Sequence, residues 1–175
     1  MHSRQQNYEF LISQVVSIVN GETDIIANMA NISSLLFNGI DGINWAGFYL
    51  FKESQLVLGP FQGNPACIRI ALGKGVCGTA AETREIQIVK DVHKFKGHIA
   101  CDSATNSEIV LPIIKNDVLI GVLDLDSERF SHFDANDAEY LTKIVDILIK
   151  TISSNTFESL GRMNNGSTVI TEMSK

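Results

Sequence analysis

Glu108-Ile109-Val110-Leu111-Pro112-Ile113-Ile114, then Lys115-Asn116-Asp117, then Val118-Leu119-Ile120-Gly121-Val122-Leu123-Asp124-Leu125-Asp126 are two apolar runs joined by a polar turn. They read as a β-hairpin. The second run ends with Asp124 and Asp126 on one strand face and Leu123 and Leu125 on the other. Unpaired carboxylates are costly to bury. The pair therefore binds an ammonium group, holds a proton at neutral pH through desolvation, or faces solvent at a strand end. Glu108 opens the neighbouring strand and is placed to converge on the same pocket.

Outward from this hairpin the period changes. Tyr8, Leu11, Ile12, Val15, Val16 and Val19 recur at helical spacing, and Asn20-Gly21 ends that helix. A second helix, capped at Thr23 or Asp24, carries Ile25, Ile26, Met29, Ile32, Leu35 and Leu36 and closes at Asn38-Gly39. Asn44 to Phe51 reads as a strand, with Gln55 to Leu58 as its partner across Lys52-Glu53-Ser54. Cys67 to Ala71 is a third strand, Val76 to Thr83 a short helix after a glycine turn, and Ile86 to Val89 a short strand. Lys90 to Ser107 is polar and irregular, and a loop of that length inside a compact domain is usually functional. Asp134 caps a last helix with an apolar stripe from Ala138 to Ile149, and Asp137 gives it an imperfect capping box. The order predicts an α+β fold, a central antiparallel sheet with helices packed on one face. Residues 1–154 make one domain. From Asn155 to Lys175 the composition reads as a frayed, flexible tail.

Composition narrows the function classes. A chain of 175 residues with 45% hydrophobic and 19% charged residues has enough apolar material for one full core. Its formal net charge of −6 argues against nucleic acid as the main ligand. No run of about 18 apolar residues predicts a membrane span, and the first twenty or so residues lack the apolar core of a signal peptide. The cytoplasm is the expected compartment, where paired cysteines tend to be catalytic or redox-active.

Three cysteines, Cys67, Cys77 and Cys101, lie in the middle third of the chain. Cys77 follows Gly73-Lys74-Gly75-Val76 at a helix start, where backbone N–H groups and the helix dipole favour a thiolate. Cys101 sits in the polar loop beside Asp102 and near His98. Cys67 opens a strand. Each is alternatively a small buried hydrophobe. The C-x-x-C pairs of zinc sites and thioredoxins are absent, as is the G-x4-G-K-[ST] order of a phosphate loop. Pairing of Cys101 with His93 or His98, as in a cysteine protease, has no motif behind it. Trp45, Gly47 and Tyr49 share one strand face; Gly47 leaves a gap for a small ligand between two rings, or the rings simply pack under a helix.

Taken together, the element order and several motifs look like a GAF domain, and more narrowly like the free methionine-(R)-sulfoxide reductases. The motifs are Asn44-Trp45-Ala46-Gly47-Phe48-Tyr49, Gly63-Asn64-Pro65-Ala66-Cys67-Ile68-Arg69-Ile70, Gly75-Val76-Cys77-Gly78-Thr79-Ala80 and His98-Ile99-Ala100-Cys101-Asp102. The resemblance, which spans Tyr8 to Ile152, implies reduction of the R-sulfoxide of free methionine without cofactor or metal. It implies Cys101 as nucleophile, Cys67 as the thiol that resolves its sulfenic acid, and Cys77 as a second resolving or relaying thiol, with thioredoxin as reductant. In that picture Glu108, Asp124 and Asp126 between them polarise the sulfoxide oxygen and hold the substrate ammonium, and Trp45 and Tyr49 enclose the methyl group. The substrate carboxylate rests on backbone N–H groups before Cys101. A homodimer through the helical face fits such a fold. The competing expectations are a GAF sensor of small ligands or oxidants, and an interaction protein with inert cysteines.

Overall fold

The computed structural model describes residues 4–99 and 101–153. The expected tail from Asn155 to Lys175 lies outside them. The chain runs α1 (Arg4–Ile18), α2 (Ile25–Gly39), β1 (Ile43–Lys52), β2 (Gln55–Gly63), β3 (Arg69–Ala71), α3 (Gly75–Thr83), β4 (Gln87–Val89), a 3-10 turn (Val92–Lys94), β5 (Ser107–Lys115), β6 (Val118–Ser127) and α4 (Ala135–Thr151). The strands form one six-stranded antiparallel sheet in the order β3-β2-β1-β6-β5-β4.

Two-residue turns set the register of both long hairpins. Glu53 and Ser54 join β1 to β2, and Asn116 and Asp117 join β5 to β6, all four at positive φ. Two successive left-handed residues twist with the flanking strands. Lys52 and Lys115, expected in the turns, instead pair in the ladders with Gln55 and Val118. β2 also runs on to Gly63, past the expected end at Leu58. β3 begins only at Arg69, so Cys67 lies in a loop rather than in the expected strand.

Alternation along the central strands builds two cores. Ala46, Phe48 and Leu50 with Ile109, Leu111, Leu123 and Leu125 meet the apolar stripes of α1, α2 and α4. Trp45, Tyr49, Val110 and Val122 point to the other face and pack with Val76, Cys77, Ala80 and Ala81 of α3. The placement of helices on one face therefore holds for the three long helices and not for α3. Its small residues allow it to lie close on the opposite face, and that second layer creates the site.

Polar contacts fasten the helices. Asp24 is the α2 cap, accepting from the N–H groups of Ile26 and Ala27 at 2.9 Å each. The capping box of α4 is complete: Asp134 accepts from Asp137 N–H, and the Asp137 carboxylate accepts from Asp134 N–H at 2.8 Å. The aspartate reaches because the box needs only a carboxylate oxygen over the first turn. Asp137 is 0% exposed; its carboxylate also accepts from Tyr8 Oη at 2.7 Å and pairs with Arg4, tying α1 to α4. Lys115 Nζ donates to the Ile149 and Ile152 carbonyls, placing a cation at the α4 C-terminus.

Gly121 shows how closely β6 approaches β1. A methyl group there would stand 2.1 Å from the Tyr49 carbonyl oxygen and 3.1 Å from Leu50 Cα, both backbone. Gly121→Ala is expected to cost about 3 kcal/mol, because neither strand can retreat without breaking its ladder. A shift of the urea midpoint with an unchanged m-value would read that loss; an unshifted midpoint would contradict the close approach.

Candidate active site

The sheet face under α3 carries a narrow cavity of about 40 Å³. Trp45 and Tyr49 of β1, Cys77 of α3, Cys101, Glu108 of β5, and Asp124 and Asp126 of β6 all line it. Adjacency across the ladder makes this convergence: Glu108 pairs with Asp126, and Asp124 pairs with Gly47. Cys67 joins through a disulfide to Cys101, with S–S 2.02 Å and Cα–Cα 5.5 Å. Both cysteines are partly buried. The sequence-based residue set is thus brought together in one place.

The carboxylates are buried, not solvent-facing. Glu108 and Asp124 are each 6% exposed, and Asp126 is partly buried. Burial, then the neighbouring negative charge of Asp124, holds Glu108 well above the usual carboxylate range. Burial and Asp124 do the same to Asp126. Burial raises Asp124 to about 7, against the hydrogen bonds from Cys77 and Glu108 that favour its ionised form. The cluster therefore keeps protons at a pH where isolated carboxylates have lost them. Asp124 Oδ1 has no hydrogen-bond partner although buried. Such an acceptor needs an explanation.

Of the two readings of Cys77, a thiolate at the start of α3 or a small buried side chain, the second holds: Cys77 is 3% exposed and its Sγ lies 3.1 Å from Asp124 Oδ2 and 3.9 Å from Glu108 Oε1. Burial and these carboxylates push its thiol up. It is a protonated donor to Asp124, and two nearby carboxylates outweigh the dipole of a nine-residue helix. Cys77, Glu108 and Asp124 offer ligand atoms within 4.8 Å of one another, so they are the described residues best placed to hold a cation. The contact between Cys77 and Asp124 is a hydrogen bond from the thiol to the carboxylate.

Of the two readings of the aromatic wall, packing under a helix holds, since Trp45 and Tyr49 are buried against α3. The Gly47 position is not an open gap: a methyl there would meet Phe61 Cβ at 2.3 Å and the Trp45 ring at 2.6 Å. Trp45 stacks on Phe61 at 5.3 Å and on Tyr49 at 5.9 Å. Glycine lets the indole fold across its own strand. Phe61 escaped the sequence reading because β2 was ended too early. Burial and the Asp124 charge raise the Tyr49 phenol, which stays protonated.

The loop bearing Cys101 is closed over this wall. Gly75 N–H donates to Gly97 O at 3.2 Å, and His98 and Ile99 line the cavity. Burial lowers the His98 pKa, so the ring is neutral at pH 7. Asp102, unassigned from sequence, accepts from Asn64 Nδ2 at 3.1 Å and Asn44 Nδ2 at 3.3 Å. These partners lie 38 and 58 residues away, so no local spacing reveals them.

Comparison with known proteins gives matching results. The GAF domain family matches residues 29–149. The chain is 49% identical to free methionine-R-sulfoxide reductase of Escherichia coli (strain K12) over 142 residues, 81% of this chain and 86% of that one. The solved structure of fRMsr of Staphylococcus aureus in complex with substrate is 52% identical with a TM-score of 0.81, covering 84% of this chain and 96% of that one. Free methionine-R-sulfoxide reductase from Neisseria meningitidis in complex with its substrate is 40% identical with a TM-score of 0.85, covering 91% and 95%.

Proposed function

Since the chain belongs to the GAF-domain family that includes the free methionine-R-sulfoxide reductases, we propose that it reduces free L-methionine (R)-S-oxide to L-methionine through a cysteine cycle. The observation that carries the reading is the Cys67–Cys101 disulfide at a cavity lined by proton-holding carboxylates.

The cycle starts from the dithiol. Cys101 thiolate attacks the sulfoxide sulfur. Glu108 and Asp126 polarise the sulfoxide oxygen and supply the proton it needs as the S–O bond weakens. Methionine leaves, and its former oxygen remains on Cys101 as sulfenic acid. The Cys67 thiol then attacks that sulfur, forming the disulfide and releasing water. Thioredoxin dithiol restores both thiols by exchange, in the cytoplasm. Cys77 is set too deep and too basic to attack first, and its thiol orients Asp124. The substrate ammonium meets the unpartnered Asp124 Oδ1. Trp45 and Tyr49 enclose its methyl group, and backbone N–H groups before Cys101 hold its carboxylate. A homodimer through the helical face would draw on Phe10 and Val16 of α1, which are exposed.

Selectivity for the free amino acid follows from enclosure. With the disulfide closed, about 40 Å³ leaves room for little beyond a few waters. Substrate enters once reduction opens the Cys67–Cys101 bond, and a peptide chain would clash at both ends. Racemic free methionine sulfoxide with dithiothreitol, followed by chiral amino-acid analysis, should show the R form consumed and the S form left. Thioredoxin with its reductase should replace dithiothreitol, and methionine sulfoxide within a peptide should remain intact. Absence of turnover removes the enzyme reading in favour of a sensor; consumption of the S form overturns the stereochemistry.

A further inference from the structure

Building on this cycle, we infer that Asp102 is a positioning residue that clamps the Cys101 loop to the Cys67 loop, so that the sulfenic acid is resolved before it is lost. Asp102 neighbours Cys101. Its Oδ1 accepts from Ala104 N–H at 2.9 Å, which fixes its own loop. Its Oδ2 reaches Asn64 Nδ2 at 3.1 Å, three residues before Cys67, and Asn44 Nδ2 at 3.3 Å on β1. One carboxylate thus bridges both cysteine-bearing loops and the rigid sheet.

The supports of this bridge are themselves fixed. Asn64 O accepts from Trp45 Nε1 at 3.1 Å, anchoring the Cys67 loop to the aromatic wall. Asn44 Nδ2 also donates to Thr105 Oγ1 at 3.2 Å. Because a carboxylate only accepts, the Asn44 amide must turn its NH₂ toward Asp102. Its Oδ1 is then left buried without a partner. A fold that leaves one acceptor unsatisfied in order to grip another group is spending stability on that grip. Ionised Asp102 is what the grip needs, and the Ala104 N–H and the Asn64 and Asn44 amides hold its carboxyl below the usual range.

The consequence concerns one step only. Resolution joins Cys67–SH and Cys101–SOH into a disulfide with release of water, and its rate depends on how long the two sulfurs stay aligned. Attack on substrate uses Cys101 and the carboxylates of β5 and β6; Asp102 lines the same cavity and its charge helps raise Asp126, so Asn64→Ala, which keeps that charge, is the variant that isolates the clamp.

The test is a single turnover of fully reduced protein with one equivalent of free methionine (R)-sulfoxide and no reductant. Wild type should release about one methionine per chain and close its disulfide at the same pace. Asp102→Asn leaves one acceptor oxygen for three donors, so an NH₂ must face either the two asparagine amides or the Ala104 N–H, and the charge that strengthens the grip is lost. It should keep the methionine burst, close the disulfide on the order of 30-fold more slowly, and leave a sulfenic acid that dimedone traps at Cys101. Asn64→Ala, which leaves the Cys101 loop untouched, should show the same split. The exchange Asn64→Asp with Asp102→Asn should restore much of the closing rate, since it again faces a donor with an acceptor. Disulfide closure at the wild-type rate in both single variants overturns the clamp, as does equal loss of burst and closure in both. If wild type releases no methionine, the reductase reading fails separately. Hydrogen peroxide can then oxidise Cys101 to the sulfenic acid, with water as the other product, and closure is compared in the same variants.

Discussion

Cys101→Ser is expected to lower kcat/KM for free methionine (R)-sulfoxide by on the order of 10³-fold or more. A hydroxyl at neutral pH is neither ionised nor soft enough to attack a sulfoxide sulfur, and no described thiol can take its place. Cys67 sits across the disulfide, on the loop before β3. Cys77 is buried, protonated and directed at Asp124. The other two thiols should behave differently. Cys67→Ser should keep one methionine per chain in a single turnover and fail to recycle, because the sulfenic acid forms but has lost its resolving partner. Cys77→Ser should retain turnover, with a weakened grip on Asp124. Methionine release counted per chain, with mass spectrometry of the thiols, separates the three. Multiple turnover by Cys101→Ser would reassign the nucleophile and leave the family membership untouched.

The sequence made some of this architecture plain and hid the rest for physical reasons. Alternation put Asp124 and Asp126 on the face opposite Leu123 and Leu125, and the ladder places them so. The ends of α2 and α4 were readable because capping is local: Asp24 and Asp134 act on N–H groups two and three residues away. What depended on distance was not readable. The layer beneath α3 rests on contacts of Val76 and Ala80 with the far side of the sheet. Helical periodicity says nothing about which sheet face receives a helix that short. The protonation of Cys77 followed from two carboxylates about 31 and 47 residues downstream, while the local signal pointed to a thiolate. The asparagines around Asp102 escaped for the same reason. The cysteine roles came from resemblance; local context set the three thiols apart without saying which one attacks.

Glu108→Gln should separate acid chemistry from stability. Glutamine keeps the size and a carbonyl acceptor but cannot give up a proton, so kcat/KM should fall by about 10²-fold or more. Asp124→Asn should act mainly on KM, because it removes the charge that the unpartnered Oδ1 offers to the substrate ammonium. The pH dependence follows from the sign of the shifts. Glu108, Asp124 and Asp126 all have raised folded-state values, Asp124 at about 7. A raised carboxylate contributes stability fully below its unfolded value near ~4, and that contribution is lost as pH rises through the folded value. In wild type, stability from the protonated cluster should therefore decline from about 4 upward, with the Asp124 share gone by about 7, and activity should fall on the alkaline side as the proton donors Glu108 and Asp126 ionise. Glu108→Gln removes one group that must ionise there. Its thermal midpoint should fall less than that of wild type between pH 6 and pH 9, while its residual activity loses the part of the alkaline decline that Glu108 causes. Both pH profiles flatten while kcat/KM itself falls, a combination that simple damage to the fold does not produce. A variant with wild-type kcat/KM across that range would take Glu108 out of the proton-transfer step and leave Asp126 as the donor.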